Sequence, residues 1–129
     1  STPYCGDAYF RDWPTTLDAL AAFGAEKMVP GRGPALKDAQ EVRRGLAGTR
    51  AFLTDLYGAV NRGVADGKDL KTIYREGYAF MQPRYSDWVI FDHCMPFNVS
   101  RAYDEASGVT DPRIWTAERD LEMWKQLEG

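Results

Sequence analysis

The chain has 129 residues, of which 44% are apolar and 13% aromatic, and its formal net charge at pH 7 is −3. This composition predicts a folded unit with a sizeable core and excludes a disordered chain. The acidic balance argues against binding to nucleic acid or to an anionic membrane surface. The sequence has neither a long apolar run nor a signal-peptide pattern, and we expect a soluble, cytoplasmic protein.

The first predicted helix follows an irregular, aromatic N-terminal segment and covers about residues 13–23. Asp12 is the expected N-cap, Pro14 suits the first helical turn, and Gly24 is placed to end the helix. The apolar residues of this helix form one face, which is expected to pack against another element: Leu17, Leu20, Ala21 and Phe23.

A short strand-like segment near Met28 then leads into the loop Pro30-Gly31-Arg32-Gly33-Pro34. The prolines fix φ on either side, while the glycines allow the backbone to turn sharply. The loop is therefore expected to be stiff and to present the single cation of Arg32 at its tip. Because an unpaired strand is unstable in water, the strand-like segment is expected to need a partner outside this chain.

The longest predicted helix covers about residues 37–62, where apolar residues recur every three or four positions. Gly45 and Gly48 lie one turn apart inside it. Each lowers helix propensity by about 1 kcal/mol relative to alanine, so we expect them to mark close packing against another helix. A shorter helix is predicted to begin near Asp69 and to end at Pro83.

The next helix is predicted over about residues 86–107 and carries Asp92, His93 and Cys94 in succession. Successive helical residues point about 100° apart, so these three side chains are not expected to converge on one atom. His93 is expected to be partly buried and hydrogen-bonded, with a cleft-facing role as the alternative. Pro96 inside this pattern is expected to kink or divide the helix.

Thr116 is the expected N-cap of a last helix, in which Leu121, Trp124 and Leu127 form an apolar stripe. The sequence therefore predicts a mainly α fold, an irregular bundle of about five helices with one strand-like segment near Met28. We expect residues 1–36 and residues 37–129 to pack as one compact unit.

Cysteine and histidine are scarce, since the chain has only Cys5, Cys94 and His93. Two free or buried thiols are the favoured interpretation, and a single disulfide stays open. A structural zinc site needs four Cys or His ligands, and a catalytic zinc needs at least three protein ligands. The chain alone is therefore expected to bind no metal.

The arginine loop, preceded by the strand-like segment and by residues 16–20 of the first helix, resembles the closing segment of metallo-β-lactamase-fold hydrolases. In that family the loop reads Pro-Gly-His-Gly, and its histidine is a zinc ligand. Arg32 stands at that position, and a guanidinium offers no lone pair to a metal. The resemblance implies an upstream metallo-β-lactamase-like domain that holds zinc, with residues 37–129 as a helical C-terminal domain.

Three functions stay open. The first is the C-terminal portion of such a hydrolase, non-catalytic when isolated, in which Arg32, Trp88 and His93 bind substrate. The second is a protein-interaction or homodimerisation module. The second alternative rests on an excess of aromatic residues, unless all four tryptophans belong to the core. The third is a small-molecule-binding domain with a pocket at the Pro96 kink, lined by Trp88, His93, Met95 and Tyr103.

Overall fold

The computed structural model describes residues 1–129 and contains five helices. They are α1 (Trp13–Ala22), α2 (Ala39–Ala65), α3 (Leu70–Tyr85), α4 (Phe91–Ala106) and α5 (Ala117–Glu128). The only β pairing is one isolated bridge, so the prediction of a mainly helical, five-helix bundle is confirmed. None of the helices combines the length and the hydropathy needed to cross a membrane.

Side-chain caps define where three of the helices begin. Asp38, Asp69 and Thr116 each accept a hydrogen bond from the backbone N–H three residues further on. Each cap satisfies one of the N–H groups that the first turn of a helix leaves without a partner. The predicted cap at Thr116 and the predicted start of a helix near Asp69 are confirmed.

Helices α2, α3 and α4 pack against one another and enclose the core. Helix α1 lies on α2, whereas α5 contacts α3 and α4. The shared apolar centre comes mainly from the inward faces of the three central helices and includes Phe52, Leu56, Val60, Ile73, Met81 and Met95.

The N-terminal segment, residues 1–12, has no regular structure and is held by buried polar side chains of α4. Asn98 is fully buried. Its Oδ1 accepts a hydrogen bond from Cys5 N (2.7 Å), and its Nδ2 donates one to Pro3 O (2.9 Å). One amide side chain thus satisfies a backbone donor and a backbone acceptor that would otherwise be buried without partners.

Two further α4 side chains, one and two turns along the same face, repeat this role. Arg101 is fully buried and its Nε donates to Ala8 O (2.7 Å). The carboxylate of Glu105 accepts from Phe10 N (2.7 Å) and from Arg11 N (3.2 Å). The irregular segment is therefore part of the folded unit.

The boundaries of α3 and α4 differ from the prediction. Helix α3 continues through Pro83 to Tyr85, because a proline in an exposed last turn removes only one hydrogen bond. Helix α4 begins at Phe91, later than predicted, because Ile90 has φ 59° and ψ 24° and cannot join a right-handed helix. Pro96 lies inside α4 without dividing it.

Helices α1 and α5 expose apolar side chains that the sequence predicts to be buried. In α1 only Leu17 is buried, and Phe23 is 81% exposed. In α5 both Leu121 and Trp124 are exposed, so not all tryptophans belong to the core. The inward stripe of α5 is formed instead by Arg119, Met123 and Leu127, and the guanidinium of Arg119 stacks 3.6 Å from the Trp115 ring.

Replacing Asn98 by alanine should lower the free energy of unfolding by about 2–4 kcal/mol, because the buried Cys5 N–H loses its partner and Pro3 O keeps only a weak hydrogen bond from Cys5 Sγ (3.7 Å). Urea denaturation of the two proteins measures this difference. Asn61→Ala is the matched control, since Asn61 also lies in a helix but makes none of the side-chain hydrogen bonds seen at Asn98. A loss equal to that of the control would show that the N-terminal segment does not depend on Asn98.

Candidate functional site

The loop that carries Arg32 is closed by an antiparallel β-bridge between Met28 and Leu36. Its hydrogen bonds run from Met28 N to Leu36 O (3.0 Å) and from Leu36 N to Met28 O (2.8 Å). The strand-like segment therefore pairs within its own loop, and the prediction that it lacks a partner inside the chain is wrong. Gly33 has φ 99°, which glycine adopts without steric cost, and this residue makes the turn possible.

Arg32 lies at the junction of two cavities. The first, about 500 Å³ in volume, is named the Trp88 cavity, and its walls include Arg32, Arg44, Gly48, Asp87 and Trp88. The second, about 390 Å³, is named the His93 cavity and is lined by Thr2, Tyr4, Arg32, Ile90, His93 and Cys94. Arg32 thus lies close to two residues that are distant from it in sequence, Trp88 and His93.

Trp88 is held firmly in the wall of its cavity. Its ring stacks on Phe52 at 5.6 Å and meets Tyr85 edge-on at 4.9 Å. The Tyr85 hydroxyl donates a hydrogen bond to Asp55 Oδ2 (2.6 Å). Burial, together with this hydrogen bond, raises the pKa of Tyr85 to about 12, so at neutral pH the hydroxyl keeps its proton and the contact is maintained.

The turn between the two cavities contains a strained residue. Ile90 is the only residue other than glycine with positive φ, and it is β-branched, which makes this conformation cost about 1–2 kcal/mol. Val89 lines the Trp88 cavity, while Ile90 lines the His93 cavity. Thr2 N donates to Val89 O (3.0 Å), which ties the N-terminal segment to this turn. Strain of this kind concentrates at functional sites, and it favours this region as one.

His93 and Cys94 line the same cavity, whereas Asp92 lies outside it. The Asp92 carboxylate accepts a hydrogen bond from the Tyr78 hydroxyl (2.5 Å). The His93 ring is exposed and lies 5.7 Å from the ring of Phe97. Cys94 is buried. The favoured prediction of a partly buried, hydrogen-bonded His93 is therefore wrong, and the residue occupies the cleft-facing position given as the alternative. The three side chains do not form a catalytic dyad or triad.

Both cysteines are free and buried. Burial raises the pKa of the Cys5 thiol and that of the Cys94 thiol, although the nearby guanidinium of Arg32 opposes the shift at Cys94. The thiolate is the reactive form of cysteine. A thiol with a raised pKa stays protonated, so the His93 cavity offers no activated nucleophile.

The Trp88 cavity has more positive than negative charge, although the chain as a whole is acidic. Arg32 and Arg44 line it together with a single carboxylate, that of Asp87. None of the ion pairs in the chain involves any of these three side chains. Both guanidinium groups are therefore available to bind an anion.

The sequence predicts Arg32, Trp88 and His93 as substrate-binding residues, and the structure places all three at the arginine loop. The sequence does not predict that Arg44 or Ile90 belongs to the site. Arg44 belongs to an ordinary charged stretch at the start of α2, and an apolar Val-Ile-Phe run gives no sign of a left-handed residue. The pocket predicted at Pro96 corresponds to neither cavity. Trp88 and His93, two of its predicted lining residues, line different cavities, and Met95 and Pro96 are buried in α4.

Gly45 and Gly48 of α2 face the arginine loop and Trp88, so the prediction that they pack against another helix is wrong. A Cβ on Gly45 would lie 3.0 Å from Leu36 Cδ1, which is a tight contact. A Cβ on Gly48 would lie 3.8 Å from Trp88 Cη2, an ordinary van der Waals distance. Close approach of the loop therefore explains Gly45, whereas Gly48 leaves space in the cavity that a side chain could occupy.

The residues present do not fit a zinc site. No group of three or more His, Cys, Asp or Glu side chains is arranged to hold a metal ion. Arg32 occupies the position at which the resembled family has its histidine, and its guanidinium repels a cation. A metal centre at this loop would need ligands from outside these residues.

Comparison with protein-family models finds no match, and comparison with curated proteins finds no significantly similar sequence. A function must therefore be inferred from the two cavities and the side chains that line them.

The strain at Ile90 predicts opposite preferences at two neighbouring positions. At position 90 the glycine variant should be more stable than the alanine variant by about 1 kcal/mol, because only glycine adopts positive φ freely. At Val89, which has no positive φ, the alanine variant should be the more stable by about 0.5–1 kcal/mol. Urea denaturation of the four variants measures both differences, and the same order at both positions would contradict the strain.

Proposed function

We propose that the chain is the C-terminal portion of a metallo-β-lactamase-like hydrolase, in which the arginine loop and the α3–α4 turn form one wall of the substrate site. The observation that carries this proposal is the position of Arg32. A stiff loop presents its unpaired guanidinium between two cavities that also contain Trp88 and His93. A single cation in this setting suits an anionic group on a substrate.

The surface around the loop supports a larger assembly. Val29, next to the β-bridge, is 82% exposed and makes no backbone hydrogen bond. Its N–H and C=O groups are therefore free to pair with a further strand. Leu20 of α1 and Phe23, directly after it, are exposed ahead of the loop. A sheet and helices from an upstream domain would cover this apolar surface, as the resemblance implies.

The chain's own residues would bind and orient the substrate, and the chemical step belongs to metal ligands outside these residues. In the resembled family the bond cleaved is that of an ester, a thioester, a lactam or a similar group. Arg32 would hold an anionic part of such a substrate, and Trp88 would offer a flat apolar surface beside it. The isolated chain is expected to be non-catalytic.

Replacing Arg32 by alanine in the natural protein should raise KM for an anionic substrate about 10–100-fold, because a charge-assisted hydrogen bond is lost. The value of kcat should change much less, since Arg32 binds the substrate without taking part in bond cleavage. Steady-state kinetics on the chromogenic ester, thioester or lactam that the natural protein hydrolyses measures both quantities.

Arg43→Ala is the matched control. Arg43 is exposed on α2 beside Arg44, lines neither cavity and forms no ion pair. Its loss should leave KM unchanged. If Arg32→Ala behaves like this control, Arg32 does not belong to the substrate site.

A further inference from the structure

We infer that the Trp88 cavity binds a small organic carboxylate, whose carboxylate group pairs with Arg32 and Arg44 and whose flat apolar part packs on Trp88. This inference rests on the proposed function and narrows it, because it names the substrate class. In such a substrate the carboxylate would lie away from the bond that is hydrolysed.

The charge of the Trp88 cavity favours an anionic ligand. Arg32 approaches from the loop and Arg44 from the first turns of α2, and neither is engaged in an ion pair. A guanidinium matches a carboxylate in shape and binds it with two parallel hydrogen bonds. Asp87 supplies the only opposing charge in the cavity wall. Because both arginines are exposed to solvent, their contribution should be modest and sensitive to salt.

The size and the apolar wall of the Trp88 cavity favour a small ligand with an aromatic part. A volume of about 500 Å³ lies in the range of small-molecule sites, which combine an apolar lining with a few polar groups. Trp88 is fixed by Phe52 and Tyr85, so an aromatic ligand would meet a surface that is already ordered. Other apolar parts of the wall come from the loop and from α2: Met28, Pro30, Leu36 and Leu46.

Gly48 leaves space for a ligand beside Trp88. It lies inside α2, where glycine is the least favourable residue after proline. A Cβ at this position would meet no atom closer than 3.8 Å, so packing does not require glycine. The missing side chain instead leaves room beside Trp88, which is consistent with a ligand that occupies this space.

The test uses the 129-residue chain and phenylacetate, a carboxylate with one aromatic ring. We expect saturable shifts of the Trp88 indole resonance and the Gly48 amide resonance in NMR titrations, with a Kd in the millimolar range. Trp88→Phe assigns the indole signal. The neutral analogue 2-phenylethanol should bind at least about tenfold more weakly. No saturable shift at millimolar phenylacetate, or equal binding of the alcohol, would overturn the inference.

The arginine variants test which cations hold the carboxylate. Arg32→Ala and Arg44→Ala should each weaken phenylacetate binding about fivefold or more, whereas Arg43→Ala should leave it unchanged. Equal effects of all three substitutions would mean a general loss of positive charge and would overturn the assignment. Phenyl phosphate serves as a second probe, and a Kd about tenfold lower than that of phenylacetate would replace the carboxylate by a phosphate ester as the ligand class.

Two glycine variants separate binding from stability. Gly48→Ala should raise the unfolding temperature and yet weaken phenylacetate binding about threefold or more, because the methyl group enters the cavity. Gly58→Ala is the control, because Gly58 lies in the same helix but does not line the cavity. The nearest atom to a Cβ at this position is Arg62 Nη1, at 3.4 Å. It should leave binding unchanged. If Gly48→Ala binds phenylacetate as well as the wild type, Gly48 does not shape the site.

These outcomes are independent of hydrolysis. Binding of phenylacetate that requires both arginines would support the site even if the natural protein proved not to be a hydrolase. Conversely, a hydrolase whose KM depends on Arg32, but whose C-terminal chain binds no carboxylate at Trp88, would overturn this inference and leave the proposed function in place.

Discussion

The pairing of the N-terminal segment with buried polar side chains of α4 is the constraint on which the rest of the structure depends. The segment has no helix or strand to satisfy its backbone groups, and burying such groups without partners is costly. Asn98, Arg101 and Glu105 provide those partners from one face of a helix that is otherwise packed in the core. Because these polar groups are directional, they fix the path of the segment more narrowly than apolar contacts would.

That path determines the candidate site. Thr2 and Tyr4 of the segment line the His93 cavity, and Thr2 also holds the turn at Val89. On the other side of this turn, Trp88 is fixed by the aromatic core. The loop with Arg32 approaches both walls but is closed by a single β-bridge. The site thus combines rigid walls with a cation that has few contacts of its own, which is a suitable arrangement for binding a ligand.

Much of the fold could be predicted from the sequence, because local rules govern it. The periodicity of α2 and the cap at Thr116 depend only on neighbouring residues, and both are found in the structure. The start of α4 could not be predicted, since the left-handed conformation of Ile90 is imposed by tertiary contacts and an isoleucine gives no local sign of it. The exposure of Trp124 could not be predicted either, because the buried stripe of α5 includes Arg119, which packs on the Trp115 ring, rather than following an apolar pattern.

The candidate site could be predicted only in part. Proline and glycine around Arg32 mark a stiff loop through their local conformational preferences. That Arg44 and Gly48 lie opposite this loop is a consequence of how α2 packs, and no local pattern reports it. The role of the polar side chains of α4 could not be predicted either, because the backbone group that Asn98 binds lies in a segment distant along the chain.

If this chain completes the substrate site of a larger hydrolase, as we propose, the native gene product is longer than 129 residues. Its mass can be measured in its own cells with an antibody raised against the chain. We expect a band well above 14.6 kDa, which would direct the search for metal ligands to the upstream residues. A band at 14.6 kDa would rule out the larger hydrolase. The exposed apolar side chains of α1 and α5 would then favour a protein-interaction function for an autonomous helical protein.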